Sequence, residues 1–133
     1  MIVDSSALVA ILRQEPDADR FTEALARSSR SLLSAGTYLE VGIVADSSPD
    51  PVLGRRLDEL LQALEIDIAP VTEQQAMVAR RAYRDFGRGS GHPARLNYGD
   101  CFAYALAQTT GEPLLFTGDD FNLTDLRPAL PPD

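Results

Sequence analysis

The sequence has 133 residues and contains no lysine, although it contains twelve arginines. This absence excludes a P-loop nucleotidase, whose motif requires a lysine that reaches the phosphates. It also excludes enzymes that form a Schiff base through a lysine amine. Receiver domains and haloacid-dehalogenase-type phosphatases normally use a lysine as well, so both become poor explanations of this chain.

Cysteine, histidine and long apolar runs are equally scarce. Cys101 is the single cysteine, which excludes an internal disulfide framework and a zinc ribbon. His92 is the single histidine, so the chain has no histidine pair for acid–base chemistry. No apolar run approaches the ~18 residues of a membrane span, and the N-terminus lacks the charged region of a signal peptide. We therefore expect a cytoplasmic protein that makes no contact with a membrane.

The residues that are present predict one globular domain over residues 1–133. Apolar residues make up 44% of the chain, which is typical of a folded protein. Twenty acidic residues against twelve arginines give a formal charge of −8. This balance argues against a simple basic nucleic-acid-binding protein.

Short apolar segments alternate with helical patterns along the chain. The predicted strands lie at residues 1–3, 32–33, 66–71 and 113–117, and the clearest predicted helices at 52–64, 72–86 and 97–109. The segment 72–75 resembles a capping box at a helix start, and the proline-rich tail from Pro128 is expected to be loosely held. The alternation predicts an α/β fold with a parallel sheet covered by helices on both faces.

Four carboxylates occupy positions where such a fold gathers functional groups. Asp4 and Asp119 follow predicted strands, whereas Glu40 and Asp100 lie early in predicted helices. The carboxyl ends of parallel strands meet at one edge of the sheet, so the four side chains could converge there. Carboxylates that converge repel one another unless a cation neutralises them. Oxygen ligands suit Mg²⁺ or Mn²⁺, which can activate water for attack on a phosphodiester.

Each of these carboxylates also has a purely structural interpretation. Asp4 could cap the helix that begins at residue 5 or 6, and Asp100 could stabilise the positive end of the helix that follows Asn97. Glu40 could belong to a solvated helix face, and Asp119 could be present only because aspartate is favoured in turns. Spacing alone does not decide between these interpretations and a metal site.

Four segments carry a more specific signal. The sequences MIVDSSALVAIL, TYLEVGIV, LNYGDCFAYALA and EPLLFTGDDF occur in this order, and together they resemble the PIN-domain ribonucleases, specifically the VapC toxins of VapBC toxin–antitoxin pairs. The resemblance covers nearly the whole chain. It implies a three-layer α/β/α fold with a short, mainly parallel central sheet flanked by helices.

The resemblance also implies an activity and its residues. It implies an endoribonuclease that depends on Mg²⁺ or Mn²⁺, with an acidic quartet at Asp4, Glu40, Asp100 and Asp119. Asp4 and Asp100 would be the main metal ligands. Asp119 is our assignment for the fourth position, because Thr-x-Asp is frequent there in the family, and Asp120 is the alternative. Further implications are a homodimer, a VapB-like antitoxin and an RNA substrate, often a structured RNA such as tRNA.

Neighbouring residues complete the predicted site. Ser6 and Thr117 could hydrogen-bond a carboxylate and orient it, although either could simply cap a local turn. Arg88 and Arg95 lie in the glycine-rich segment before Asn97, where arginine could bind a phosphate backbone. Two other functions remain open: a PIN-fold interaction module without catalysis, and a metal-dependent DNA nuclease or phosphatase.

Overall fold

A computed structural model describes residues 1–131 of the chain. The predicted single domain over 1–133 includes residues 132 and 133, which lie outside the described residues. The elements in chain order are β1 (Ile2–Val3), α1 (Ser5–Leu12), α2 (Ala18–Arg27), β2 (Ser31–Ser34), α3 (Ala35–Asp46), α4 (Val52–Ala63), β3 (Ile66–Ala69), α5 (Glu73–Phe86), α6 (Tyr98–Thr110), β4 (Leu114–Leu115) and a 3₁₀ turn (Asp120–Leu123).

The four strands form one parallel sheet in the order β3-β2-β1-β4. Ile2 pairs with Leu32 on one side and with Leu114 on the other. Because all the strands run in one direction, their carboxyl ends share one edge of the sheet. That edge includes Asp4 after β1 and Ser34 at the end of β2.

Alternate residues of the same strands enter two separate cores, as the period of a strand requires. Val3, Leu33 and Leu115 pack with α1, α2, α3 and α4 on one face of the sheet. Ile2, Leu32 and Leu114 pack with α5 and α6 on the other face. The predicted three-layer α/β/α fold with a parallel sheet is confirmed.

Two local predictions need correction. The start of α5 forms only half of the predicted capping box: Gln75 N donates to Thr72 Oγ1, but the Gln75 side chain does not donate or accept in return. The third strand ends at Ala69, so Val71 lies outside it.

The described part of the tail, residues 128–131, is held more firmly than predicted. Leu114 N donates to Arg127 O at 3.0 Å, and Ala129 N donates to Leu114 O at 2.7 Å. Ala129 and Leu130 also pack against the core. The tail therefore pairs with the free side of β4. Among residues 1–131, no helix is both long enough and apolar enough to cross a membrane.

Candidate active site

Asp4 lies at the carboxyl end of β1, where it is 3% exposed and caps α1. Its Oδ2 atom accepts hydrogen bonds from Ser6 N at 3.1 Å and from Ser6 Oγ at 2.6 Å. Its Oδ1 atom accepts no hydrogen bond from residues 1–131. The helix-cap interpretation is therefore correct, and it uses only one of the two carboxylate oxygens.

The Ser6 hydroxyl joins Asp4 to the segment after β4. Ser6 Oγ donates to Asp4 and accepts a 3.0 Å hydrogen bond from Thr117 N. The hydroxyl of Ser6 thus fixes the orientation of the Asp4 carboxylate. Thr117 participates through its backbone N–H rather than through its side chain.

Asp100 is the third residue of α6 and is half-buried. Its Oδ2 atom accepts a hydrogen bond from Asn97 N at 2.9 Å, while Asn97 Oδ1 accepts one from Asp100 N at 2.8 Å. This reciprocal pair is a capping box, which satisfies two N–H groups at the helix start. Within the described chain, Asp100 Oδ1 accepts no hydrogen bond. In Asp100, as in Asp4, the Oδ2 atom accepts the hydrogen bonds at the helix start and the Oδ1 atom accepts none.

Glu40 projects from α3 toward both aspartates. Its negative charge raises the pKa of Asp4 and the pKa of Asp100. The Glu40 carboxylate also packs directly on Gly99, where a β-carbon would overlap Glu40 Oε2. Gly99 is thus a site residue that sequence reasoning missed. The signal that could have indicated it is the position of a glycine directly before Asp100 in LNYGDC.

Asp120 lies within electrostatic range of Asp100. The charge of Asp120 raises the pKa of Asp100. Asp119 is exposed and lines a different cavity of about 190 Å³, together with Asp17 and Arg20. The assignment of the fourth position to Asp119, with Asp120 as the alternative, stays a prediction. The two neighbours separate because the 3₁₀ turn begins at Asp120.

Burial and the neighbouring negative charges make Asp4 and Asp100 costly to ionise. Burial is the main cause that raises the pKa of Asp4 from 3.8 to about 6; the charges of Asp100 and Glu40 add to it, and the hydrogen bonds from Ser6 oppose it. Burial likewise raises the pKa of Asp100, with Glu40 and Asp120 adding to the effect. Carboxylates in such surroundings favour a neighbouring cation.

The donor atoms suit a hard divalent cation. Asp4 Oδ1 and Asp100 Oδ1 are carboxylate oxygens at one edge of the sheet, and oxygen is the ligand that Mg²⁺ and Mn²⁺ prefer. Within residues 1–131, no three acidic, histidine or cysteine side chains are close enough together to hold a metal ion. A magnesium ion usually takes only one or two protein carboxylates and keeps several waters. Two aspartates with one unused oxygen each fit that requirement.

Positive charge reaches the group from the segment that precedes α6. Arg88 lowers the pKa of Asp100, which places its guanidinium within electrostatic range. Arg95 is exposed and has a φ of 50°, a left-handed conformation that few residues other than glycine adopt. Between them, the ring of His92 packs edge-on against Phe86 at 4.9 Å. The segment that carries both arginines is therefore anchored to α5.

Cys101 does not contribute a nucleophile. It follows Asp100 in α6 and is 5% exposed. Burial and the charge of Asp100 raise its pKa to about 11, so the thiol is protonated at neutral pH. Because the thiolate is the reactive form, hydrolysis at this site would require water as the nucleophile.

Comparison with known proteins places the chain in a family. The PIN domain profile matches residues 1–125. Ribonuclease VapC28 of Mycobacterium tuberculosis is 58% identical over 130 residues, which cover 98% of each chain. Ribonuclease VapC30 of the same species is 47% identical over 132 residues, which cover 98% of this chain and 100% of that protein. The chain belongs to the VapC family of PIN-domain proteins. The resemblance found in the four sequence segments is thereby confirmed.

Solved structures of the VapC family and its relatives share the fold. Mycobacterium tuberculosis VapC20, described as a Sarcin-Ricin loop cleaving toxin, superposes with a TM-score of 0.72 at 12% identity, over 94% of this chain and 95% of that one. A toxin–antitoxin complex from Klebsiella pneumoniae gives a TM-score of 0.67 at 19% identity, over 90% of this chain and 88% of that one. At 12% and 19% identity, these two superpositions show that this VapC-family chain shares the fold, and they show the fold alone.

Proposed function

We propose that this VapC-family protein is an endoribonuclease that hydrolyses RNA phosphodiesters with Mg²⁺ or Mn²⁺ held between Asp4 and Asp100. The observation that carries the proposal is that the two carboxylate oxygens of each aspartate have different roles. In each, Oδ2 caps a helix and Oδ1 accepts no hydrogen bond from residues 1–131. Helix capping fixes each side chain in place, so the unused oxygens are ready to bind a cation without further ordering.

The remaining carboxylates would act around that pair. When bound, the cation supplies a polarised water for attack on phosphorus and offsets the charge of the carboxylates. Glu40, fixed against Gly99, would orient that water and accept its proton at a carboxylate oxygen. Asp119 would complete the acidic group, and Asp120, whose charge raises the pKa of Asp100, is the alternative for that place.

Two arginines would hold the substrate. Arg88 lies within electrostatic range of Asp100. Its guanidinium can bind a phosphate in a bidentate manner. Arg95 is exposed at the same end of α6 and would bind the neighbouring phosphate. Holding the backbone on both sides of the cleaved bond would position it for in-line attack.

RNA is the substrate that the relatives favour. The relatives are named ribonucleases, and one structural neighbour is described as cleaving the Sarcin-Ricin loop. We therefore extend the proposal to structured RNA, including tRNA, in the cytoplasm. The alternatives are a PIN-fold interaction module without catalysis, and a metal-dependent DNA nuclease or phosphatase.

Protein partners form part of the proposal. A related fold is known in a toxin–antitoxin complex, which supports a VapB-like antitoxin for this chain. We also propose a homodimer. Helix α3 offers apolar side chains for such contacts, since Leu39 is 62% exposed and Ile43 is 56% exposed.

Cleavage of total RNA by the purified protein tests the proposal. We expect cleavage with Mg²⁺ or Mn²⁺, none in EDTA, and none for Asp4→Asn or Asp100→Asn. Asp50→Asn is the matched control, because Asp50 also accepts a hydrogen bond from the N–H two residues ahead but is exposed. Calorimetric titration with Mn²⁺ should show binding to the wild type and not to Asp4→Asn.

Three outcomes would contradict parts of the proposal. Cleavage that persists in EDTA, or in both aspartate variants, would exclude the metal assignment. Cleavage of single-stranded DNA at the same rate would support the DNA nuclease instead. Mn²⁺ binding without cleavage of any nucleic acid would support the interaction module.

A further inference from the structure

A cavity of about 250 Å³ lies between α5 and α6, outside the acidic group. Its walls are mostly apolar. Three aromatic rings contribute to them, those of Tyr83, Tyr98 and Phe102, along with small side chains such as Ala79 and Ala105. Pockets for drug-sized ligands span roughly 300–1,000 Å³, so this cavity suits a smaller flat group.

One buried polar side chain lines this apolar cavity. Gln75 is 8% exposed and is the third residue of α5. In a complete capping box its side chain would turn back to Thr72, but only Gln75 N bonds to Thr72 Oγ1, at 3.1 Å. The Gln75 amide makes no hydrogen bond to residues 1–131. Among residues 1–131, only Thr37 Oγ1 is a fully buried side-chain polar atom without a partner, so the Gln75 amide reaches the open space of the cavity, where its donor and acceptor are available to a ligand.

The cavity begins next to the acidic group. Leu96 N donates to Phe86 O at 2.9 Å, so the end of α5 lies beside the start of α6. Tyr83 and Tyr98 therefore flank the cavity at the end where Asp100 lies. From Tyr83 back to Gln75, α5 extends about 12 Å at 1.5 Å per residue.

Tyr98 is placed to stack on a planar group. Its side chain is 77% exposed, two residues before Asp100. Its ring meets Phe102 edge-on, with the centroids 5.1 Å apart and an interplanar angle of 87°. This contact fixes the ring while leaving it exposed, and aromatic faces are the surfaces on which RNA bases stack. Arg80, also lining the cavity, adds a positive charge for a phosphate.

We propose that the cavity between α5 and α6 is a nucleobase pocket, which receives a base of the RNA beside the bond that is cleaved. The base passes Tyr98 and ends against the Gln75 amide. Adenine is the base expected there, because a glutamine amide can bond its N6 and N7 atoms together. This inference rests on the proposed function for its biological role, while the binding itself requires no cleavage.

Nucleotide binding in EDTA tests the pocket apart from catalysis. We expect adenosine 5′-monophosphate, titrated by calorimetry, to bind more tightly than uridine, cytidine or guanosine monophosphate. Gln75→Leu keeps the volume and removes the amide, so it should weaken adenosine monophosphate binding by about fivefold or more. Ala79→Leu should fill the cavity and abolish binding. Gln74→Leu is the matched control, since Gln74 is exposed on the same turn and should bind as the wild type does.

Mapping the RNA ends then tests the role of the pocket in cleavage. We expect the wild type and Gln74→Leu to cut next to adenine, and Gln75→Leu to lose that preference. No nucleotide binding, or equal binding by Gln75→Leu and the wild type, would overturn the proposal even if RNA is cleaved. Adenine-selective binding without RNA cleavage would retain the pocket and contradict the proposed function. If Gln75→Leu instead weakens only self-association or antitoxin binding, the cavity receives a protein segment and the proposal is wrong.

Discussion

Replacing Asp4 by asparagine should stabilise the metal-free protein while abolishing its activity. The pKa of Asp4 is raised from 3.8 to about 6, and each pKa unit corresponds to about 1.4 kcal/mol. Ionised Asp4 therefore costs the folded state about 3 kcal/mol at pH 7.5. Asparagine caps helices as well as aspartate does, and its side-chain oxygen can still accept the hydrogen bonds from Ser6. The charge is thus removed while the cap is kept.

The pH dependence separates this effect from others. The folded protein binds the Asp4 proton more tightly than the unfolded chain does, so the cost declines as the pH falls from above 6 toward 4. Urea unfolding in EDTA should show Asp4→Asn more stable than the wild type by about 3 kcal/mol at pH 7.5, and by about 1.5 kcal/mol at pH 5. Asp50→Asn, which changes an exposed aspartate that accepts a similar local hydrogen bond, should show no such difference. Equal stability of Asp4→Asn and the wild type at pH 7.5, or the same gain at both pH values, would refute the reasoning.

Three further outcomes are expected. Gly99→Ala should reduce RNA cleavage by displacing the Glu40 carboxylate, whereas Gly42→Ala, which faces open space on the same helix as Glu40, should leave cleavage unchanged and stabilise α3 by about 0.5–1 kcal/mol in a urea titration. Leu33→Ala, at a fully buried position, should cost about 2–5 kcal/mol of unfolding free energy; a cost below about 1 kcal/mol would contradict the packing of this core. Replacing both Arg88 and Arg95 by alanine should weaken RNA binding and flatten its dependence on salt; an unchanged salt slope would argue against phosphate contacts by these arginines.

The sheet and most helices could be predicted because their signals are local. Strands that are buried on both faces are continuously apolar, and the strands at Leu32 and Leu114 have this character. Helix α6 begins where Asn97 provides an N-cap and ends before Gly111, which has a φ of 72°. The order of the strands and the side of the sheet that each helix covers depend on tertiary packing, which no local pattern in the sequence encodes.

The finer details of the site depend on geometry that spacing does not encode. Asp119 and Asp120 are adjacent, and only the start of the 3₁₀ turn separates their surroundings. The contact between Gly99 and Glu40 joins two helices that are distant in the sequence. Gln75 matched a capping pattern in the sequence. Its N–H group does bond to Thr72, but its side chain is buried between α5 and α6 and does not complete the capping box.

The use of one oxygen for the fold and the other for the cation constrains how positions 4 and 100 can change during evolution. At position 4 glutamate would conserve the charge, but its longer side chain does not form the short cap that Ser6 N requires. Alanine would remove the cap and the ligand together. Asparagine alone removes the chemistry and keeps the helix start. Descendants of this chain that have lost catalysis but kept the fold and their partners should therefore carry asparagine at position 4 more often than any other residue.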